Sequence, residues 1–186
     1  MEQSKRSSQV LRLTYSALYL AIAMVLPFLT GQIPEIGSML CPMHIPVLLC
    51  GFVCGWAHGL LVGLVAPLLR FLFFGMPPLY PTAIAMSAEL AVYGAVSGVL
   101  FRLLPRKPWA VFAALLGAMA AGRVVWGLAQ YALLQLRGEL FSGAMFVAGA
   151  ITSAIPGIIL HILLIPAIVI ALDKAGLVFN PQRKSA

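Results

Sequence analysis

The stretch of sequence that decides the fold is residues 82–104, TAIAMSAELAVYGAVSGVLFRLL. Its charged residues are Glu89 and Arg102, and nearly all the others are apolar or small. A helix of about 20 predominantly apolar residues crosses the hydrocarbon core of a bilayer. This stretch therefore predicts a transmembrane helix with one carboxylate at membrane depth.

The whole chain has the same character. Of its 186 residues 62% are hydrophobic and 9% are charged, whereas soluble domains carry roughly 25% charged residues. We predict an all-α fold, an integral membrane six-helix bundle that forms a single transmembrane domain over residues 1–186. The second and third spans are separated near Gly55–Gly59, and the basic N-terminal segment leads into a retained first helix rather than a signal peptide. The predicted spans are approximately 10–29, 39–55, 58–74, 82–104, 109–136 and 146–172.

Basic residues predict the orientation of this bundle. The formal net charge is +7, which in a membrane protein reflects topology rather than nucleic-acid binding, because Lys and Arg concentrate in cytoplasmic segments. The predicted spans place nine basic residues on the side of the termini and leave three elsewhere. Both termini are therefore expected in the cytoplasm. The nine are Lys5, Arg6, Arg12, Arg102, Arg106, Lys107, Lys174, Arg183 and Lys184.

Two charged residues are predicted within the membrane, where charges are costly and usually functional. Glu89 and Arg123 lie far enough below the outer ends of their helices for the two side chains to meet. One interpretation is a structural ion pair between the fourth and fifth spans. The other is that one or both side chains line a solvated cavity that binds a ligand.

Further candidates for substrate binding lie towards the outer side. Arg123, Trp126 and Gln130 share one helix face, which favours a cavity wall over a helix seam. Arg70 suits an anion, although it is equally compatible with snorkelling to the interface. Tyr80, Thr152 and His44 complete the candidate substrate-binding residues, whereas His161 is interpreted as a packing residue.

Several chemistries are not indicated. Cys41, Cys50 and Cys54 are interpreted as buried small residues, without a disulfide or a metal site. Nucleotide-binding, metalloprotease and serine-nucleophile motifs are not found in the sequence. We expect no catalytic residue and no cofactor, so energy for uphill transport must come from a partner or an ion gradient.

The chain resembles the substrate-binding S components of energy-coupling factor (ECF) vitamin transporters over nearly its whole length. Ala17 and Ala21 match the Ala-xxx-Ala motif of their first helix, a spacing that also lets helices approach closely. Residues 43–51, MHIPVLLCG, resemble their second helix. Residues 81–86, PTAIAM, followed by Glu89, Tyr93, Gly94 and Gly98, resemble their fourth helix.

The resemblance implies that the chain binds a vitamin near the outer face of a prokaryotic cytoplasmic membrane. It would then dock through the first helix on a membrane coupling protein that carries two ATPase subunits, and topple to release the vitamin inside. Arg70 and Arg123 suit an anion such as pantothenate. The alternatives are a self-sufficient secondary transporter, an intramembrane enzyme that uses Glu89 and His161, and a structural membrane subunit.

Overall fold

A computed structural model describes residues 2–30, 39–105, 107–140, 142–149 and 154–179. These residues form helices and connecting turns and contain no β-strand. Within these described ranges, five helices are long and apolar enough to cross a membrane, and the helix His44–Cys54 is shorter. The predicted all-helical membrane bundle is thereby confirmed. Its helices are α1 (Glu2–Val25, continued by a 3-10 turn at Leu26–Thr30), α2 (His44–Cys54), α3 (Trp56–Phe74), α4 (Ile84–Leu103), α5 (Pro108–Leu136), α6 (Gly143–Val147) and α7 (Ile155–Lys174).

Four helix boundaries differ from the sequence prediction. The first helix begins at Glu2 rather than near residue 10, and α2 begins at His44 rather than near residue 39. The break between α2 and α3 is the single residue Gly55, with a φ of 100° that favours glycine. The last span was predicted to begin near residue 146, but α7 begins at Ile155 after the short helix α6. Pro156 occupies the first turn of α7, where its missing N–H and fixed φ are tolerated. Apolar composition alone does not reveal such a start.

The short helix α2 lies at the centre of the bundle, and all its residues are buried. It packs against α1, α3, α4 and α7. Its C-terminal end lies beside the segment that follows α7, where the Phe179 N–H donates to the Val53 carbonyl over 2.9 Å. At 1.5 Å per residue, His44 at the other end of α2 lies roughly 15 Å deeper. The N-terminus of α2 therefore lies inside the bundle, near mid-membrane depth.

Glycines allow α2, α3 and α4 to approach backbone to backbone. A Cβ added at Gly59 of α3 would lie 2.6 Å from the Gly94 carbonyl oxygen of α4, and one added at Gly98 would lie 2.5 Å from the Trp56 nitrogen. Gly51 and Gly63 face the backbone of α4 in the same way. Such small-residue seams are characteristic of membrane helix packing. This seam fixes the position of α4, and with it the position of Glu89.

The Gly94→Ala variant is expected to lower the free energy of unfolding by about 1–3 kcal/mol, a typical cost of overpacking a well-packed interior. Its Cβ would overlap the Gly59 backbone, which cannot rotate away as a side chain can. Thermal unfolding in detergent measures the change. The matched control is Gly143→Ala, because a Cβ there meets no atom within 4 Å. Equal melting temperatures for the two variants would contradict the seam.

Candidate functional site

Four buried side chains and one partly buried side chain, from four helices, meet in the centre of the bundle. They are His44 at the start of α2, Glu89 and Tyr93 one turn apart on α4, Arg123 on α5 and His161 on α7. We call this group the core polar cluster. His44, Glu89, Tyr93 and His161 are each at most 2% exposed. All five residues of the cluster lie roughly 15–23 Å from the Cys54, Leu103, Pro108 and Lys174 ends of their helices. This depth is around the middle of a hydrocarbon core about 30 Å thick.

An ion pair organises the core polar cluster. Arg123 Nη1 lies 3.1 Å from Glu89 Oε1, and His44 Nε2 lies 3.6 Å from the same oxygen. The Tyr93 hydroxyl lies within hydrogen-bonding reach of the Glu89 carboxylate. Arg123 also reaches Cys41, with Nη2 lying 3.8 Å from the sulfur. The structure thus brings together the two charged residues that their depths in the sequence predicted to meet.

The cluster holds most of the unpartnered buried polar atoms in the described part of the chain. Six buried side-chain nitrogen or oxygen atoms there have no hydrogen-bond partner, and five belong to the cluster. Glu89 Oε1 is one of them because its contact with Arg123 is an ion pair without hydrogen-bond geometry. The other four are His44 Nδ1, His44 Nε2, Arg123 Nε and His161 Nε2.

Such atoms are expensive to bury. An unsatisfied buried donor or acceptor costs about 1–3 kcal/mol, and more when it is charged. Most buried polar groups in proteins therefore have a partner, either from the protein or from water. A concentration of unpartnered atoms at one point is typical of a place that receives hydrogen bonds from outside the chain. The arrangement suits a polar ligand that supplies both hydrogen-bond donors and hydrogen-bond acceptors.

The outer part of α5 forms a wall above the cluster. Trp126 and Gln130 follow Arg123 on the same helix face, and both are half-buried. The Trp126 ring lies 6.3 Å from the Phe146 ring of α6. Tyr131 points away from this wall and is 52% exposed. The aromatic contact places α6 over the outer part of α5, on the side that faces away from the termini.

Tyr80 also lies against the outer end of α5. Its hydroxyl donates to the Leu133 carbonyl, and the Arg137 guanidinium lies 4.6 Å from its ring centroid. Tyr80 therefore belongs to the outer wall rather than to the core polar cluster. Thr152, the remaining predicted residue of this region, lies outside the described residues.

Arg70 occupies a separate position between α1 and α3. Its Nη1 donates to the Met24 carbonyl over 2.6 Å. The rings of Phe28 and Phe74 lie 5.1 and 5.2 Å from the guanidinium carbon. These contacts tie the outer ends of the two helices together. The structure does not group Arg70 with Arg123, so a ligand contact by Arg70 stays a prediction.

Sequence reasoning did not assign ligand binding to two members of the cluster. Tyr93 entered only through the family resemblance, and its ring lies 5.2 Å from that of His44. His161 was interpreted as a packing residue, yet it is 2% exposed and stacks on His44 with centroids 6.0 Å apart. The available signal was a histidine deep in an apolar helix, since ionisable residues at membrane depth are commonly functional.

Ala17 and Ala21 lie on the opposite side of α1 from the bundle. Both are exposed, whereas Ser16, Tyr19 and Ala23 on the other face are buried. The exposed face continues through large apolar residues, including Leu13 and Leu18. Two small side chains one turn apart thus form a shallow strip on an apolar surface, which a second helix can approach closely.

Comparison with known proteins gives one match. The family model described as ECF transporter, substrate-specific component, matches residues 11–169. No curated protein and no solved structure matches the chain. The matched range runs from α1 through most of α7 and includes every residue of the core polar cluster. In the described part of the chain, no group of three or more His, Cys, Asp or Glu residues is arranged to hold a metal ion.

Proposed function

Because the chain belongs to the family of ECF transporter substrate-specific components, we propose that its core polar cluster binds the vitamin that the transporter imports. The family consists of transport subunits rather than enzymes, so the protein acts as the substrate-binding subunit of a multi-pass membrane transporter. In general, such a subunit has a vitamin as its substrate and works with the ECF module. The proposal assigns the binding role to particular residues.

The observation that carries this proposal is the set of five unpartnered buried atoms in the cluster. A bound vitamin would supply their missing partners and displace any water that occupies the site. Glu89 and Arg123 carry opposite charges, with Oε1 and Nη1 3.1 Å apart. The vitamin-free site therefore need not hold a net charge inside the membrane. This balance reduces the cost of keeping an empty site at this depth.

We assign the access route to the outer side. The cluster lies at the N-terminal end of the short helix α2, and the segment 39–43 that leads into this helix passes beside the cluster, where Cys41 contacts Arg123. Trp126, Gln130 and Tyr80 would line the approach from the outer loops, and Thr152 is a further candidate. The excess of basic residues beside the termini supports cytoplasmic ends. Membership of the ECF transporter family supports the cytoplasmic membrane of a prokaryote as the location.

The exposed Ala17 and Ala21 strip is proposed to dock on the coupling protein of the ECF module. The strip faces away from the proposed vitamin site. Docking would therefore use the outer surface of α1, and vitamin binding would use the interior of the bundle. The sequence lacks a nucleotide-binding loop of the Gly-rich Lys-Ser/Thr type. The two ATPases of the module would therefore supply the energy, and toppling of the bundle would release the vitamin inside.

Pantothenate is the first vitamin to test. Its carboxylate would pair with Arg123, and its hydroxyl and amide groups would bond to Glu89 and the two histidines. Of the two arginines that suggested an anion, Arg70 is engaged by Met24 and two rings. The proposal therefore depends on Arg123, whose charge Glu89 already balances. A ligand that carries donors as well as a carboxylate suits this site better than a simple anion.

Equilibrium binding to the purified protein tests the proposal. Radiolabelled pantothenate is compared with riboflavin, thiamine, biotin, folate and cobalamin. We expect saturable binding of one vitamin at a stoichiometry near one, with the vitamin recovered chemically unchanged. Binding of a vitamin other than pantothenate would overturn the proposed ligand and preserve the site. Failure to bind any of the six at micromolar concentration would contradict the proposed function.

A further inference from the structure

The two buried histidines of the core polar cluster form a stacked pair. His44 and His161 have ring centroids 6.0 Å apart and planes inclined by 23°. Three of their four ring nitrogens have no hydrogen-bond partner. The other groups that face the pair are Glu89 and Tyr93 from α4, Arg123 from α5 and Cys41 from the segment before α2.

The spacing of the two rings limits how a ligand can reach them. A flat ligand ring inserted between two others needs about 7 Å, twice the contact distance of 3.5–4.0 Å between carbon atoms. At 6.0 Å the imidazoles leave no such space. A ligand therefore meets the nitrogens at the ring edges. Hydrogen bonding, and not stacking, must provide recognition at this point.

The backbone sets the hydrogen-bonding character of His161. Its ring bonds to the backbone of Cys41, and Nε2 is the nitrogen that has no partner. When Nδ1 donates to a carbonyl, Nε2 of the neutral ring keeps its lone pair and acts as an acceptor. A neutral His44, with both nitrogens unpartnered, offers one donor and one acceptor. The pair thus presents acceptors and a donor side by side.

We propose that His44 and His161 form a hydrogen-bonding subsite for a non-aromatic part of the vitamin, in which an O–H or N–H group lies next to a carbonyl or carboxyl oxygen. A hydroxyl-bearing amide has this chemistry. The inference rests on the proposed function and makes His161 a residue that determines specificity. Aromatic parts of a ligand, if it has any, would lie higher, at the level of Trp126.

The direction of change in melting temperature and in pantothenate affinity separates a ligand-binding role of His161 from a packing role. In the vitamin-free protein His161→Leu removes an unsatisfied polar atom and also the bond of the ring to the Cys41 backbone, whose carbonyl keeps the His44 N–H as a partner. Because an unsatisfied buried group costs more than one hydrogen bond contributes, we expect the melting temperature to rise. The same variant should bind radiolabelled pantothenate about 10- to 100-fold more weakly, since it cannot accept the ligand's hydrogen bond. His161→Gln, whose side-chain amide can still accept, should retain affinity within about threefold. His58→Leu is the control, because His58 lies at the far end of α3 and should change neither value.

The outcomes separate the subsite from the function on which it rests. A wild-type protein that binds none of the six vitamins would contradict the proposed function. The melting temperature of vitamin-free His161→Leu would still test the subsite. A lower melting temperature for vitamin-free His161→Leu overturns the subsite, because it indicates a packing role. Unchanged pantothenate affinity in that variant also overturns it. A third result would also overturn the subsite. In that result the wild-type protein binds riboflavin through its flat ring, needs His161 to do so, and does not bind pantothenate.

Discussion

The Arg123→Ala variant is expected to lose about 3–5 kcal/mol of folding free energy, the usual cost of removing one partner of a buried ion pair. Glu89, which is 1% exposed in the native structure, would lose its cation. Vitamin affinity should fall about 100-fold, as expected for a lost hydrogen bond to a charged group. Thermal unfolding and equilibrium binding in detergent measure the two losses.

A double variant separates the binding role from the structural one. In Glu89→Leu/Arg123→Met the pair is replaced by apolar side chains of similar volume, a change that is often neutral or stabilising for buried pairs. We expect the melting temperature to return to that of the wild type, or above it, while vitamin binding stays lost. A double variant that folds and binds like the wild type would show that the pair only holds α4 against α5.

The second large effect is a loss of transport while vitamin binding is retained. Ala17→Arg/Ala21→Arg should abolish vitamin uptake into cells or proteoliposomes that contain the ECF module, because two long charged side chains would block the strip on α1. Vitamin binding to the isolated variant should remain within about twofold of the wild type, since both positions face away from the core polar cluster.

The control for this variant is Ala167→Arg. Ala167 is also an exposed alanine on a membrane-crossing helix, but it lies on α7. One arginine at the centre of a span costs about 2.5–3.5 kcal/mol for insertion on translocon scales, so Ala167→Arg measures how far one such charge by itself disturbs the protein. We expect Ala167→Arg to retain uptake. Uptake by the double α1 variant, or equal loss in the control, would refute docking through Ala17 and Ala21.

The long apolar helices and the meeting of Glu89 with Arg123 could be predicted from the sequence. Composition determines which segments enter the bilayer. The rise of 1.5 Å per residue then places charges on neighbouring helices at comparable depths. The prediction needed no packing information, because a charge within the membrane has few places where it can be stabilised.

The rest of the site depends on packing that one sequence does not reveal. The position of His44 follows from the glycine contacts that hold α2 against α4, and that of His161 follows from the late start of α7 at Ile155. Arg70 was grouped with Arg123 as an anion ligand on chemistry alone. Its partners are a backbone carbonyl of α1 and two aromatic rings, and no spacing pattern in the sequence indicates them.

Native mass spectrometry of the freshly purified protein tests most directly whether the core polar cluster holds the vitamin. We predict that the wild type carries one small molecule per chain and that the bound mass is that of a vitamin. The Glu89→Leu/Arg123→Met variant, folded to the same melting temperature, should carry none. A wild type without a bound molecule after incubation with the vitamin panel, or a variant with the same occupancy as the wild type, would contradict the account.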